Sequence, residues 1–311
     1  MINIYEAQSA NRRKSFLVIL FFVMFVAFAV WVLGNAFSVY MGYEAGGLSY
    51  VGIALIVSGI MSFVSYYYSD KIVLSISGAR PADKRRDFEF YTVCENLAIA
   101  SGIPTPRLYV IDDSAPNAFA TGRDPKHAVV CTTSGLLSKL NRTELEGVVA
   151  HELTHIINYD IRLMSIVSVL VGTVALLGDW FLRMQWYGGS RDRDKNSGGI
   201  AALFLVLGIL FAILSPLIAN FIKLAISRRR EFMADAGAVS ITRQPQGLIS
   251  ALKKISGDTE ALEAANKATA HMYIINPFKG KNDKRVVARF AGLFNTHPPL
   301  SERVAALEKM A

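Results

Sequence analysis

His151, Glu152 and His155 form a His-Glu-x-x-His pattern inside the stretch Val148–Asp160, VVAHELTHIINYD. In a chain of 311 residues with five histidines, chance alone produces such a pattern roughly three times in a thousand. Residues four apart on an α-helix lie on one face, one turn above each other, so both imidazoles can reach one Zn2+ at about 2.0–2.1 Å. Glu152 then faces the open coordination position, where it can take a proton from a water molecule. The flanks Val148, Val149, Ala150, Ile156 and Ile157 are apolar. Burying a glutamate and two histidines among them is expensive without a metal or an ion partner, so a pair of hydrogen-bonded core histidines is the weaker reading.

A catalytic zinc site takes three protein ligands and leaves the fourth position open. Arg230–Asp235, REFMAD, offers Glu231 and Asp235 four apart on one predicted helical face. Glu231 can bind the metal while Asp235 receives the ring N–H of a ligating histidine and so fixes its tautomer. Taken alone, two acids at that spacing are more often an ordinary solvated helix face; the apolar neighbours and the His-Glu-x-x-His motif favour the ligand reading. His127 and His271 stand in no motif and are assigned to the surface or the core.

The elements that must position these groups are legible around them. Asn141-Arg142-Thr143-Glu144 reads as a capping box that opens the helix carrying His151. Before it, Arg107–Ile111, Asn117–Thr121 and Ala128–Thr132 read as three short strands punctuated by Pro116, Gly122 and Pro125. Pro81-Ala82-Asp83 is expected to start a helix that runs to about Ala100, with Phe88, Tyr91, Val93, Leu97 and Ile99 on its apolar face and Gly102 as its stop. The small sheet should precede and flank the metal-binding helix. The C-terminal part is helical by pattern, with a polar loop at Ile275–Val286.

Four apolar runs interrupt this domain: Ser15–Leu33, Gly46–Tyr68, Ile161–Phe181 and Gly199–Ile226. The first has nineteen uncharged residues, enough to cross about 30 Å of hydrocarbon. Hydrophobic residues make up 52% of the chain and mean hydropathy is +0.33, which fits a membrane protein with a soluble part. The net charge of +8 resides in basic residues beside apolar runs, such as Arg12, Arg13 and Lys14, or Arg228, Arg229 and Arg230. That placement suits membrane anchors better than nucleic acid, which is excluded as a partner. Because Gly34–Ala45 lacks Lys and Arg, the positive-inside rule puts both the N-terminus and the region after Tyr68 in the cytoplasm. The third and fourth runs are expected to be spans, with a helical hairpin as the alternative. Cys94 and Cys131 lack metal-binding spacing and are expected to be buried, unpaired apolar residues.

These features together make a mainly α membrane protein with a zincin-like α+β catalytic domain. The expected domains are 1–69 (N-terminal tail and spans one and two), 70–160 (cytosolic subdomain with the metal-binding helix), 161–227 (spans three and four) and 228–311 (cytosolic subdomain with the third ligand).

Over roughly residues 12 to 308 the chain resembles the HtpX-type membrane zinc metalloproteases, gluzincins that also include the CaaX prenyl endopeptidases. Four motifs carry the resemblance: Asn117-Ala118-Phe119-Ala120; HELTH at 151–155 with Asp160; EFMAD at 231–235; and His297-Pro298-Pro299 with Arg303. It implies one Zn2+ per chain bound by His151, His155 and Glu231, with Glu152 as general base and acid. It makes Asn117, Ala118, Phe119 and Ala120 an edge strand beside the cleft, able to bind an extended substrate by strand addition. His297 would donate to the tetrahedral oxyanion, supported by Arg303. The implied partners are polypeptide substrates, unfolded or membrane-bound, and the lipid bilayer. The implied location is the cell's inner membrane, with the catalytic domain facing the cytoplasm and a role in quality control of damaged membrane proteins. A non-enzymatic zinc scaffold or sensor would need a fourth ligand, which neither His127, His271, Cys94 nor Cys131 supplies credibly. A prenyl-protein endopeptidase would differ only in substrate.

Overall fold

The computed structural model describes residues 49–170, 172, 228–265, 269–277 and 298–310, together with 9, 13–21, 23, 24, 27, 28 and 31. A four-stranded mixed sheet sits at its centre, in the order β1-β2-β4-β3. Strand β2 (Arg107–Ile111) runs parallel to β4 (Ala128–Thr133), whereas β1 (Arg80–Pro81) is antiparallel to β2 and β3 (Ala118–Gly122) antiparallel to β4. The three strands read from sequence agree with β2, β3 and β4 to within a residue at either end.

Side chains alternate across this sheet, as the period of two requires. Leu108, Val110, Ala118, Ala120, Ala128 and Val130 face one core, with helices α2 (Phe88–Ser101), α4 (Arg142–Ile157) and α6 (Pro245–Gly257) packed over them. Ile111, Phe119, Val129 and Cys131 face a second core, shared with Val73 and Leu74 of α1 (Ser49–Ile76), with Leu163 and Val167 of the helical stretch 160–170, and with Tyr273. Both faces are covered, so β3 and β4 are buried along their whole lengths. Cys94 and Cys131 are buried and free.

Pro81 does not begin a helix. Its residue pairs with Tyr109 in the sheet, and the Asp83 side chain accepts from the amides of Arg85 and Arg86 at 2.8 Å each, a turn that delays α2 until Phe88. The buried face is Phe90, Val93, Cys94, Leu97 and Ala98, spaced as one helical stripe, while Phe88 and Ile99 are exposed. Gly102 ends the helix in the left-handed conformation, φ 67°.

Helix α1 runs past Tyr68 to Ile76, so its last turns bury Val73 and Leu74 under the sheet. Among the described residues no helix is long and apolar enough to cross a membrane; the continuously described side chains of α1, residues 59–76, include Asp70 and Lys71. The fourth apolar run, Gly199–Ile226, lies outside the described residues.

Helix α4 starts at the capping box expected of it. The Asn141 side chain accepts from the Glu144 amide at 3.0 Å and Glu144 accepts from the Asn141 amide at 2.9 Å. From Val148 to Ile156 every residue of α4 is buried. Helix α5 (Arg228–Thr242) crosses it closely because position 237 is glycine: a Cβ there would stand 2.3 Å from Thr154 Cγ2. A second glycine, Gly147, admits the backbone of α6 in the same way, its would-be Cβ lying 2.6 Å from the Leu248 nitrogen. The chain continues through α3 (Ser134–Lys139), ahead of α4, and ends in α7 (Leu300–Glu308).

Candidate metal centre

Close packing of α4 on α5 brings His151, His155 and Glu231 together, with one possible ligand atom from each lying within 4.8 Å of the others. The two Nε2 atoms stand 3.2 Å apart. Glu231 Oε2 is 3.8 Å from His151 Nε2, and its Oε1 is 3.7 Å from His155 Nε2. Ligands at about 2.05 Å in a tetrahedron are themselves about 3.3 Å apart, so the histidine pair already has the required spacing and the carboxylate lies slightly outside it.

Each ring is held from behind. His151 Nδ1 is 3.0 Å from Asp235 Oδ1, and His155 Nδ1 is 3.0 Å from Asp160 Oδ2. A carboxylate accepts, so each Nδ1 carries the proton and each Nε2 turns a lone pair toward the other. Two facing lone pairs have nothing to share except a proton or a metal ion. The charges agree. Counted with both imidazoles neutral and Glu152 ionised, the state in which they could serve a metal, four buried carboxylates (Glu152, Asp160, Glu231, Asp235) and two buried guanidinium groups (Arg230, Arg303) leave two negative charges, which one divalent cation balances.

Proton affinities follow the same field. For His151, burial, Arg303 and His155 lower the pKa against the pull of Asp235. For His155, burial is outweighed by Asp160 and Glu231, and its pKa rises to about 9. Burial, with Glu231 adding to it, pushes Glu152 up to about 7, while His155, Arg303 and the Ala120 backbone pull the other way. Glu152 Oε2 is buried and has no hydrogen-bond partner among the described residues, an atom left for something that enters the cluster.

Arg303, on α7, reaches in from the C-terminal side. Its Nε and Nη2 donate to the two oxygens of Asp235 at 2.9 and 2.6 Å, and its Nη1 is 3.8 Å from Glu231 Oε2. Its place is thus behind His151, where it orients Asp235. His297, which the resemblance pairs with it, lies outside the described residues. Two contributors went unread in the sequence. Asp160 belongs to the motif, but its role is not legible there, because it follows the turn that ends α4, with Tyr159 at φ 59°, where helical periodicity no longer tells which way a side chain points. Arg230 looked like a membrane anchor beside Arg228 and Arg229; those two are exposed, but Arg230 is buried with Nη1 3.6 Å from Asp160 Oδ1. A signal was available: Arg230 stands four and eight residues before Ala234 and Ala238, on the same buried stripe of α5.

Strand β3 is an edge of the sheet, but its outward backbone groups are not all open. The Ala118 carbonyl accepts from the Ile274 amide at 3.0 Å, and the Gly122 amide donates to Ser165 Oγ at 3.1 Å. Asn117 Nδ2 donates to the Ile275 carbonyl at 3.0 Å. His127 is partly exposed beside Asp124, and His271 is buried against Ser168 and the Met164 carbonyl.

A helix-borne pair of imidazoles, a carboxylate from a second helix and a buried glutamate beside them define a metallopeptidase. The chain belongs to peptidase family M48, whose family model matches residues 84–311. It is 42% identical over 309 residues to a protein named Protease HtpX homolog from Caldanaerobacter subterraneus subsp. tengcongensis, covering 99% of this chain and 98% of that one. Proteins of the same name from Dictyoglomus thermophilum (43% over 307 residues; 98% and 94% covered) and Ligilactobacillus salivarius (40% over 308 residues; 99% and 100% covered) are similarly close. The crystal structure of S. mikatae Ste24p superposes with a TM-score of 0.47 at 22% identity, covering 94% of this chain and 66% of that one. The enzyme is a metalloendopeptidase, which leaves the non-catalytic scaffold without support.

Proposed function

We propose that this metalloendopeptidase holds one Zn2+ per chain between His151, His155 and Glu231 and cuts unfolded or damaged polypeptides at the cytoplasmic face of the cell membrane. The observation that carries the reading is the convergence of two Nε2 atoms and the Glu231 carboxylate, with both Nδ1 atoms fixed by carboxylates.

Zinc bound there supplies a Lewis acid that polarises a water and the scissile carbonyl. Glu152 takes the water's proton on its carboxylate and delivers it to the leaving amine. A pKa raised by burial to about 7 suits both transfers near neutral pH. Asp235 and Asp160 accept from the Nδ1 atoms, which keeps the ring protons there and leaves the Nε2 atoms free for the metal. Arg303 holds Asp235 in place. Asn117–Ala120 lie along the edge where an extended substrate could add, and His297 keeps the oxyanion role that the resemblance implies.

Phe16, Leu17 and Leu20, with Ile56, Ile60 and Phe63 of α1, are exposed apolar side chains. A bilayer is the partner that suits them, and with the four apolar runs they support a multi-pass arrangement in the domain order 1–69, 70–160, 161–227 and 228–311.

The test uses the full-length protein in lipid vesicles with a dye-labelled unfolded membrane polypeptide. Glu152→Gln should keep one zinc per chain and lose about 10²- to 10⁴-fold in turnover, and Glu231→Ala should lose the zinc. Undiminished turnover in the first variant, or full zinc in the second, removes the reading. A farnesylated peptide cleaved in preference to the unfolded chain would move the substrate to the prenyl class.

A further inference from the structure

The catalytic cluster is closed in. His151, Glu152, His155 and Glu231 are each at most 4% exposed, and Ala118, Phe119 and Ala120 of the adjacent edge strand at most 2%. Part of what covers that edge is a segment of the same chain. Residues 269–274 are buried without exception, although they form no strand.

The segment is held at two places. At its start, His271 Nε2 lies 3.2 Å from Ser168 Oγ and 3.3 Å from the Met164 carbonyl, on the helical stretch 160–170. At its end it lies on β3: the Ile274 amide donates to the Ala118 carbonyl, Asn117 Nδ2 donates to the Ile275 carbonyl, and the Tyr273 ring meets Phe119 edge-on with centroids 5.1 Å apart. The Ile274 carbonyl also accepts from Arg303 Nη1 at 3.4 Å, which joins the segment to the Asp235–His151 side of the metal centre.

An extended polypeptide binding to β3 needs the outward backbone groups of that strand, and the Ala118 carbonyl is already taken. Resting on the peptidase reading above, we propose that Tyr273–Ile275 is a built-in strap that occupies the substrate edge of β3, and that a polypeptide must displace it before reaching Glu152. The strap competes with substrate for the same hydrogen bonds, so a chain able to offer a continuous extended backbone displaces it and a folded loop does not. This confers selectivity for unfolded chains with no recognition of their sequence.

Ile274→Pro removes the amide that holds Ala118 while keeping an apolar side chain. Tyr273 sits at φ −70°, ψ 143°, a conformation that a residue preceding proline can adopt. Losing one hydrogen bond of this kind should raise the open fraction, and with it kcat/KM for an unfolded dye-labelled polypeptide, about fivefold, with zinc content unchanged. Tyr273→Leu, which lacks the ring contact, should act in the same direction. A second arm needs no cleavage. In full-length Glu152→Gln protein in vesicles, hydrogen exchange of peptides spanning 269–277 should accelerate on adding the unfolded polypeptide, as the strap leaves β3. Unchanged or slower exchange with the polypeptide bound overturns the strap, as does an unchanged or lower kcat/KM in both variants when they melt like the parent. Because exchange reports binding alone, a failure of the peptidase reading would appear separately, as wild-type protein that binds the polypeptide without cutting it.

Discussion

Asp160→Asn isolates the contribution of the carboxylate behind His155. The side chain keeps its shape, but the charge that accepts from Nδ1 at 3.0 Å is gone, and the buried cluster falls from two uncompensated negative charges to one. Replacing a carboxylate that orients a ligating histidine costs about 10- to 100-fold in metal affinity, roughly 1.4–2.7 kcal/mol. The pH dependence makes the prediction sharper. With His155 as a ligand in the proposed site, zinc would have to displace its proton, and its pKa is raised to about 9 by Asp160 and Glu231 in spite of burial. In the parent, therefore, affinity should climb about tenfold per pH unit from 7 toward 9 as that proton is lost. The substitution lets the His155 pKa fall toward its ordinary value of about 6.5, which relieves proton competition at pH 7 but has little left to relieve at pH 9. The deficit of the variant should consequently widen by more than tenfold between pH 7 and pH 9. Competition with a chelator whose zinc affinity is known at each pH measures it directly. A deficit that narrows with rising pH, or affinities equal within twofold throughout, would refute the assignment of Asp160.

Arg303→Met leaves Asp235 buried without its bidentate partner and should destabilise the protein by about 3–5 kcal/mol in denaturant unfolding; Arg303→Lys, which cannot span both oxygens, should recover less than half of that. Gly237→Ala places a methyl group against Thr154 and should cost about 1–3 kcal/mol, with weaker zinc binding because Glu231 and Asp235 move away with α5. Glu144→Gln removes the charge that accepts from Ser250 Oγ, Lys254 Nζ and the Asn141 amide. Against the upward push of burial, Lys254, Ser250 and the Asn141 amide hold the Glu144 pKa below its usual range. Its stabilisation should thus be present in full above the unfolded value of about 4.3 and be lost as pH falls through the lowered folded value. Because Lys254 is half exposed the effect at pH 7 should be about 1 kcal/mol, seen as a melting-temperature difference that vanishes in acid.

How far the site could be read from sequence depended on whether a single element carried the information. His151, Glu152 and His155 share one helix, the histidines one turn apart, so spacing alone gave their geometry, and the capping box at Asn141 and Glu144 located the start of that helix. Strands β2, β3 and β4 were equally plain, because short runs punctuated by Pro and Gly are local. Local signals failed where a tertiary contact prevailed. Pro81, an ordinary first residue for a helix, instead pairs with Tyr109, so α2 starts only at Phe88, and its buried residues Phe90, Val93, Cys94, Leu97 and Ala98 keep a helical spacing that Phe88 and Ile99 do not fit.

The outer layer of the metal centre follows the same logic. Asp235 could be anticipated because it stands one turn beyond Glu231 on the same helix, whereas Asp160 and Arg303 approach from beyond a turn and from another helix. Arg230 shows the limit most clearly. In a run of three arginines beside an apolar stretch, composition assigns all three to the membrane surface, but Arg230 shares the buried stripe of Ala234 and Ala238 and so faces Asp160. Two of the three are exposed and one is buried, so position on the helix decides and the charge does not. In a site assembled from three segments of chain, the candidate metal ligands can be found by motif, but the residues that hold them in place must be found by asking what each buried charge is paired with.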